Sequence, residues 1–315
     1  MSELLRVGVV GVGVMGADHA ARLANRISGA SLVAVSDPDG ARAEAVASSY
    51  PGVQVIDSPL ALVAADFVDA VLIASPGAAH EEQVLACLAA GKYVLCEKPL
   101  TVSSESALRL VTAERAGGRP LVQVGFMRRY DPAYTRLKSG LGRVLVLHNI
   151  HRNKTAPGSF GTEMIVRDSL VHEVDVSRWL FDDEIATISV LTPAPSALAP
   201  PGVSDPLVAI FRMTGGGIAT NEVFVNSQLG YEVRCEAVGE QGSRFVDAAL
   251  PLPDNFLSRF EAAYDLEVQS WVDACRRGEV TGPTTWDGYA ATAVCEAGVR
   301  SLHDGGSPVA VALVR

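Results

Sequence analysis

The chain has 315 residues, 26 of them basic and 36 acidic, for a formal net charge of −10. With 48% hydrophobic and 20% charged residues, it has the composition of a soluble globular protein of one large or two ordinary domains. The acidic balance argues against nucleic acid, because phosphate neutralisation needs a basic face, and the apolar runs break well short of the ~20 residues of a membrane helix.

In chain order, MSELLRVGVVG enters a strand pattern directly, without the charged, apolar and cleavage-site succession of a signal peptide. RVGVVGVG (6–13) is a Val-rich strand ending in glycines, and 17–26 is helical. SLVAVSD (31–37) is a second strand, followed by a helix near 39–49. A third strand lies at 53–56, and Asp57 and Ser58 stand where they can cap the short helix after it. DAVLIAS (69–75) is almost wholly apolar, as strands of parallel sheets covered on both faces are. A helix at 79–91 ends in glycine, and KYVLCEKP (92–99) is a fifth strand stopped by proline. Ser103 and Ser104 open another helix, and 120–126 is a sixth strand. This regular alternation predicts a doubly wound Rossmann α/β domain with a parallel sheet over residues 1–125.

The pattern changes after Gly125. A short helix at 132–139 leads to a strand at 144–153, a Gly/Pro-containing loop and a helix holding 167–180. From 185 to 247 come the strands IATISVL, PLVAIFRM, GGGIATNEVFVN, YEVRCEAVG and SRFVDA, with Gly215-Gly216-Gly217 as a natural hairpin turn. Strands in succession predict a large, mostly antiparallel sheet in a C-terminal α+β domain over 126–315. Helices near 257–277 and 286–303 and a strand at 308–314 complete it. The Pro-rich segment 193–206 is read as a surface loop. Cys87, Cys96, Cys235, Cys275 and Cys295 form no CxxC or Cys/His cluster, so no metal site is expected and the thiols should be reduced and mostly buried. A cytoplasmic protein handling small molecules is the expectation.

Gly11-Val12-Gly13-Val14-Met15-Gly16 is GxGxxG. Such a string is weak alone, but here it follows a strand, opens a helix and is followed about 20 residues later by Asp37 at the end of the next strand. The first glycine permits the tight turn, the second lets backbone approach a pyrophosphate, and the third lets helix and strand pack closely. Gly11, Gly13, Val14, Met15 and Gly16 would lie at the phosphates, on the positive end of the helix dipole. Asp37 would accept from the adenosine ribose hydroxyls and repel a 2′-phosphate, which favours NAD over NADP.

Glu97-Lys98-Pro99 ends the fifth strand on the carboxyl edge, where ligands of doubly wound folds lie. An ammonium there can orient a reacting hydroxyl and stabilise partial alkoxide character as a hydride leaves. Ser75-Pro76 ends the fourth strand on the same edge, along the nicotinamide half of the cofactor. His80, near the start of the next helix, suits a capping role or a cofactor-side role equally. Glu97 is placed on the cofactor's side with Lys98.

The chain resembles the glucose–fructose oxidoreductase/inositol dehydrogenase (Gfo/Idh/MocA) family nearly end to end. The resemblance rests on GVGVMG (11–16), EKP (97–99), GFMRRYDP (125–132), HRN (151–153), DSLVHEVDVSRWL (168–180) and WDGYAA (286–291). Its inositol 2-dehydrogenase branch is the most similar. The resemblance implies that Lys98, Asp168 and His172 line the hydroxyl being oxidised, and that Arg128, His151 and Tyr231 face a sugar or cyclitol. Leu229 departs from the polar or aromatic contact expected in some inositol enzymes, which leaves the exact substrate open.

On a regular helix Asp168 and His172 are one turn apart and share a face. Leu170, Val171, Val174 and Phe181 gather on another side, so periodicity leaves the Asp/His face to solvent or a cleft. The glycine loop, Lys98 and the resemblance favour the cleft, with His172 as general base and Asp168 holding its tautomer. An imidazole of unperturbed pKa about 6.5 can take a hydroxyl proton near neutrality. The leading expectation is an NAD-dependent dehydrogenase oxidising myo-inositol or a related cyclitol to the inosose. The alternatives are the same chemistry on an aminocyclitol, sugar or sugar nucleotide, and a non-catalytic NAD(P)-binding sensor. Related proteins pair through the C-terminal sheet, so a homodimer or homotetramer is expected.

Overall fold

Short β-branched runs alternate with alanine-rich helical stretches in the first part of the chain, and the computed structural model, which describes residues 4–314, makes each run a strand. Met1–Glu3, where the N-terminal stretch begins, and Arg315 lie outside the described residues. The chain forms two compact units. One runs to Phe126 and adds Tyr264–Tyr289; the other takes Met127–Ala263 and resumes at Ala290.

In the first unit the order is β1 (Leu5–Val10), α1 (Val14–Asn25), β2 (Ala30–Ser36), α2 (Gly40–Ala47), β3 (Gln54–Val55), α3 (Pro59–Ala64), β4 (Ala70–Ile73), α4 (Gly77–Ala89), β5 (Tyr93–Glu97), α5 (Ser104–Ala116) and β6 (Val122–Gly125). The strands are parallel in the order β3-β2-β1-β4-β5-β6, the doubly wound arrangement that the alternation predicts. The chain reverses direction across the sheet between β1 and β4, which sets a crevice at their carboxyl ends. β4 is buried along its whole length, as its apolar run requires. Ser103 caps α5 by accepting the Ser106 N–H at 3.2 Å. Ser58 precedes α3 as expected but makes no cap bond; Pro59, with its φ preset for a helix, starts that element instead. Helix α1 begins at Val14, three residues earlier than its apolar spacing suggests, because the glycine loop runs directly into it.

In the second unit a 3-10 turn (Met127–Tyr130) leads to α6 (Pro132–Ser139), β7 (Val144–Arg152), α7 (Thr162–Met164), a π-helical turn (Ile165–Ser169) and α8 (Val171–Phe181). Then come β8 (Ile185–Leu191), β9 (Leu207–Met213), β10 (Ile218–Phe224), β11 (Glu232–Gly239), β12 (Gly242–Val246) and α9 (Phe256–Arg259); α10 (Glu261–Arg277) belongs to the first unit from Tyr264 on, α11 (Thr285–His303) to the second from Ala290 on, and β13 (Val309–Ala310) ends the second unit. The seven strands run in the order β12-β11-β7-β10-β9-β8-β13, antiparallel except for the β7/β10 pair. Gly216, at φ +89°, makes the β9–β10 turn, where the Met213 and Gly217 backbones bond. Leu147, Asn149 and His151 of β7 alternate inward with Asn221 of β10 and Cys235 of β11. Asn149 donates to Asn221 at 2.8 Å and to Ser177 of α8 at 3.4 Å, so α8 covers this face. The opposite face carries an ion network of Arg152 with Glu222 (2.6 Å) and Glu232 (3.0 Å).

Two expectations differ from the structure at the C-terminal end. The helix near 257–277 is broken into α9 and α10, and the strand at 308–314 pairs only at Val309–Ala310. Val268, Trp271, Val272 and Cys275 of α10 pack with Val7, Val9, Leu23 and Leu95. Residues 264–289, grouped by chain order with the C-terminal domain, thus help build the core of the first unit.

Candidate active site

The three glycines of the loop after β1 do three different jobs. Gly11 has φ +78°, and a Cβ there would lie 2.5 Å from the Ser75 nitrogen after β4. Gly16 packs so closely that a Cβ would lie 1.7 Å from the Gly11 oxygen. At Gly13 a Cβ would meet nothing within 4 Å, so the backbone faces open space where α1 begins. No side chain caps that helix and no acidic residue stands in its first turn. Val14 is 72% exposed and Met15 half-buried beside this opening. Asp37 follows β2; its Oδ2 accepts the Val12 N–H at 2.8 Å and its Oδ1 the Asp39 N–H at 2.9 Å. Arg42, which the sequence pattern did not single out, lies 3.2 Å from the same carboxylate. A helix start open to a phosphate pair, with a carboxylate at the neighbouring strand tip, fits the pyrophosphate and ribose of NAD.

Along the same edge, the Ser75 hydroxyl donates to Gln83 at 2.6 Å and Pro76 is exposed. His80 is the fourth residue of α4 and buried, so it does not cap the helix. Its Nε2 lies 2.7 Å from the Ser75 oxygen and its Nδ1 3.0 Å from the Pro99 oxygen, bridging the turns after β4 and β5. Burial lowers its pKa, and a neutral ring donates to one of the two carbonyls at a time. Both Glu97 oxygens are engaged within the protein: Oε1 with His19 Nε2 at 2.8 Å, and Oε2 with the Lys98 N–H at 3.1 Å. Burial pushes the Glu97 carboxyl up, but His19 and Lys98 outweigh it, and the carboxyl sits below the ordinary range. Lys98 follows directly, half-buried.

In the second unit, Arg128, His151, Glu173 and Tyr231 form a single buried cluster. Arg128 Nη1 donates to Glu173 Oε1, and its Nη2 lies 3.3 Å from His151 Nδ1. Glu173 Oε2 lies 3.1 Å from the same nitrogen, and the Tyr231 hydroxyl 3.3 Å from His151 Nε2. Burial raises the Glu173 carboxyl, yet Arg128 and His151 more than offset this and its pKa falls below the ordinary value. Burial raises the Tyr231 phenol. The His172 ring meets the His151 ring edge-on, with centroids 6.2 Å apart.

Asp168 and His172 are not on one regular α-helix. Asp168 lies in the π-helical turn, where the Leu170 N–H reaches back five residues to the Ile165 oxygen at 2.9 Å. Such single turns recur at functional sites, and no periodicity in the sequence announces this one. Leu170, Val171 and Val174 are buried as expected, with Phe181 half-buried. So are His172, Glu173, Asp175 and Ser177, which leaves α8 without the wet face that an amphipathic reading gives it. Leu229 is 74% exposed in the turn before β11.

Residues 5–126 match the model of an oxidoreductase family with an NAD-binding Rossmann fold, and 136–244 match the GFO/IDH/MocA C-terminal domain. The chain is 50% identical to the inositol 2-dehydrogenase of Rhodococcus erythropolis, over 96% of this chain and 94% of that one. It is 49% identical to that of Mycolicibacterium smegmatis, over 100% and 98%. A crystal structure of myo-inositol dehydrogenase from Lactobacillus casei, in complex with NAD(H) and myo-inositol, aligns with a TM-score of 0.94 at 34% identity, covering 99% of this chain and 98% of that one. With both domain models matched in order along a chain that its relatives cover from end to end, the protein belongs to the Gfo/Idh/MocA oxidoreductase family.

Proposed function

We propose that the protein is an NAD-dependent cyclitol dehydrogenase, oxidising a secondary hydroxyl of myo-inositol or a close relative to the inosose. The observation that carries this reading is the identity of about half of all residues with inositol 2-dehydrogenases along nearly the whole of both chains. Bound NAD supplies the nicotinamide carbon that takes the hydride. The glycine loop and α1 hold its phosphates, and Asp37 its adenosine ribose. His172 takes the hydroxyl proton, Asp168 holds the imidazole in the accepting tautomer, and Lys98 stabilises the developing negative charge on oxygen. Arg128, His151 and Tyr231 shape the cyclitol side; their mutual hydrogen bonds support a preorganised wall.

The five cysteines are unpaired and buried, which supports a reducing, cytoplasmic setting. Among the described residues no helix is long and apolar enough to cross a membrane. A homodimer or homotetramer formed through the seven-stranded sheet is part of the proposal, and light scattering of the purified protein tests it.

The test of function is the appearance of NADH when the protein meets NAD with myo-inositol, scyllo-inositol, an aminocyclitol, glucose and a sugar nucleotide in parallel. Turnover greatest on an inositol supports the reading. A preference for a sugar or aminocyclitol would move the substrate while keeping the chemistry. NADH binding with no turnover on any of them would favour a sensor.

A further inference from the structure

His19 is fully buried in the second turn of α1, the helix that starts at the glycine loop. Its Nε2 faces Glu97 Oε1 at 2.8 Å. A carboxylate only accepts, so Nε2 carries the proton. Nδ1 has no hydrogen-bond partner among the described residues, so the Nε2–H tautomer is the one that these surroundings satisfy. The other Glu97 oxygen takes the backbone N–H of Lys98. Gly125 on β6 lies beside Glu97, and only its lack of a side chain leaves space there, since a Cβ would lie 3.2 Å from the Glu97 Cα, Cδ and Oε2. From the far side, His80 of α4 reaches the Pro99 oxygen at 3.0 Å. The Lys98 backbone is therefore tied through Glu97 to the phosphate-binding helix, and the next residue, Pro99, is tied to α4 in the His80 tautomer that carries its proton on Nδ1.

We propose that His19 is a positioning residue: through Glu97 it fixes Lys98 relative to the glycine loop, so that the cofactor-binding helix and the lysine act as one rigid piece. The inference rests on the role given to Lys98 under Proposed function. Glu97 is a buried carboxylate that depends on His19 for one of its bonds, and without that donor it must rotate or take in water, carrying the Lys98 backbone with it. A displacement of about 1 Å at a reacting group can cost on the order of 100-fold in rate.

The experiment places His19→Ala, His19→Gln and Glu97→Gln in the natural sequence and in a Lys98→Met background. It reads kcat on inositol, NADH affinity by fluorescence and the thermal midpoint. His19→Ala is expected to lower kcat by roughly 10–100-fold with NADH affinity nearly unchanged. His19→Gln, whose amide can still donate to Glu97, is expected to recover most of that loss. In the Lys98→Met background His19→Ala should cost nothing further, because the group it positions is gone. Should His19→Ala not fold, Glu97→Gln carries the same test, since an amide cannot accept through both of its ends. Equal fold-losses in the two backgrounds, or a lower thermal midpoint with unchanged kcat, would overturn the inference alone. Full activity of Lys98→Met by itself would overturn the role of the lysine, and this inference with it.

Discussion

Asp37 accepts the Val12 N–H over 2.8 Å, which ties the tip of β2 to the glycine loop beside the 2.8 Å bond from the Gly11 N–H to the Ser36 oxygen. The same carboxylate holds Arg42 at 3.2 Å. On the proposed placement of the adenosine ribose at Asp37, Asp37→Ala takes away a charge that would oppose a 2′-phosphate and leaves the Arg42 guanidinium to meet one. The ratio of kcat/KM for NADP to that for NAD is expected to rise by about tenfold, equivalent to ~1.4 kcal/mol. An unchanged ratio in steady-state assays would mean that the adenosine ribose is recognised elsewhere.

Gly13 and Gly16 should respond to alanine in opposite ways. A Cβ at Gly13 enters open space, so Gly13→Ala is expected to keep its thermal midpoint while filling the approach to the pyrophosphate and weakening NADH binding by about tenfold or more. A Cβ at Gly16 collides with the Gly11 carbonyl, and the loop must shift. Gly16→Ala is expected to destabilise the chain by roughly 1–3 kcal/mol, as overpacking does. Calorimetry and NADH fluorescence on both variants check the contrast, and unchanged NADH binding by Gly13→Ala would count against the loop as a phosphate cradle.

For His172, alanine is expected to lower kcat by roughly 10²–10⁴-fold, the usual contribution of a positioned base, with NAD affinity little affected. Lys98→Met should be comparably damaging. Single-turnover kinetics with inositol separate chemistry from binding. Turnover near that of the natural sequence in the His172 variant would take the residue out of the proton path.

The Arg128–Glu173 ion pair is completely buried, so breaking it is expected to cost more than a surface pair would. Glu173→Gln leaves Arg128 charged and short of a partner, and roughly 3–5 kcal/mol of stability should be lost. Because the folded-state pKa of Glu173 lies below the ordinary carboxylate value, ionised Glu173 contributes stability above that ordinary value. The contribution is lost as the pH falls from there through the depressed folded value. Urea midpoints across the acidic range should therefore drop more steeply for the natural sequence than for Glu173→Gln. Parallel curves would show that Glu173 is not ionised in the fold.

Patterns local in the chain carried far into this structure. Alternating apolar runs and helical stretches are enough to define a doubly wound sheet, because a parallel strand must be apolar on both faces and its crossover must be helical. The glycine loop and Asp37 were legible for the same reason: their spacing is set by one strand, one turn and one helix. Lys98 directly follows β5, at the strand end where the apolar run and Pro99 put it. The partners of these residues were not legible. His19 and Glu97 are 78 positions apart and Arg128 and Glu173 are 45 apart; nothing in either local stretch marks one as meeting the other. The π-helical turn at Asp168 was equally hidden, since a five-residue backbone hydrogen bond leaves no periodic trace. Nor could chain order assign α10, whose Trp271 belongs to the core of the first unit. Sequence alone determined the fold class, the family and the NAD-binding Rossmann domain. Tertiary packing decided which buried charges are neutralised by which partners, because low-dielectric burial forces every ionised group to find a counter-group wherever the fold brings one within reach.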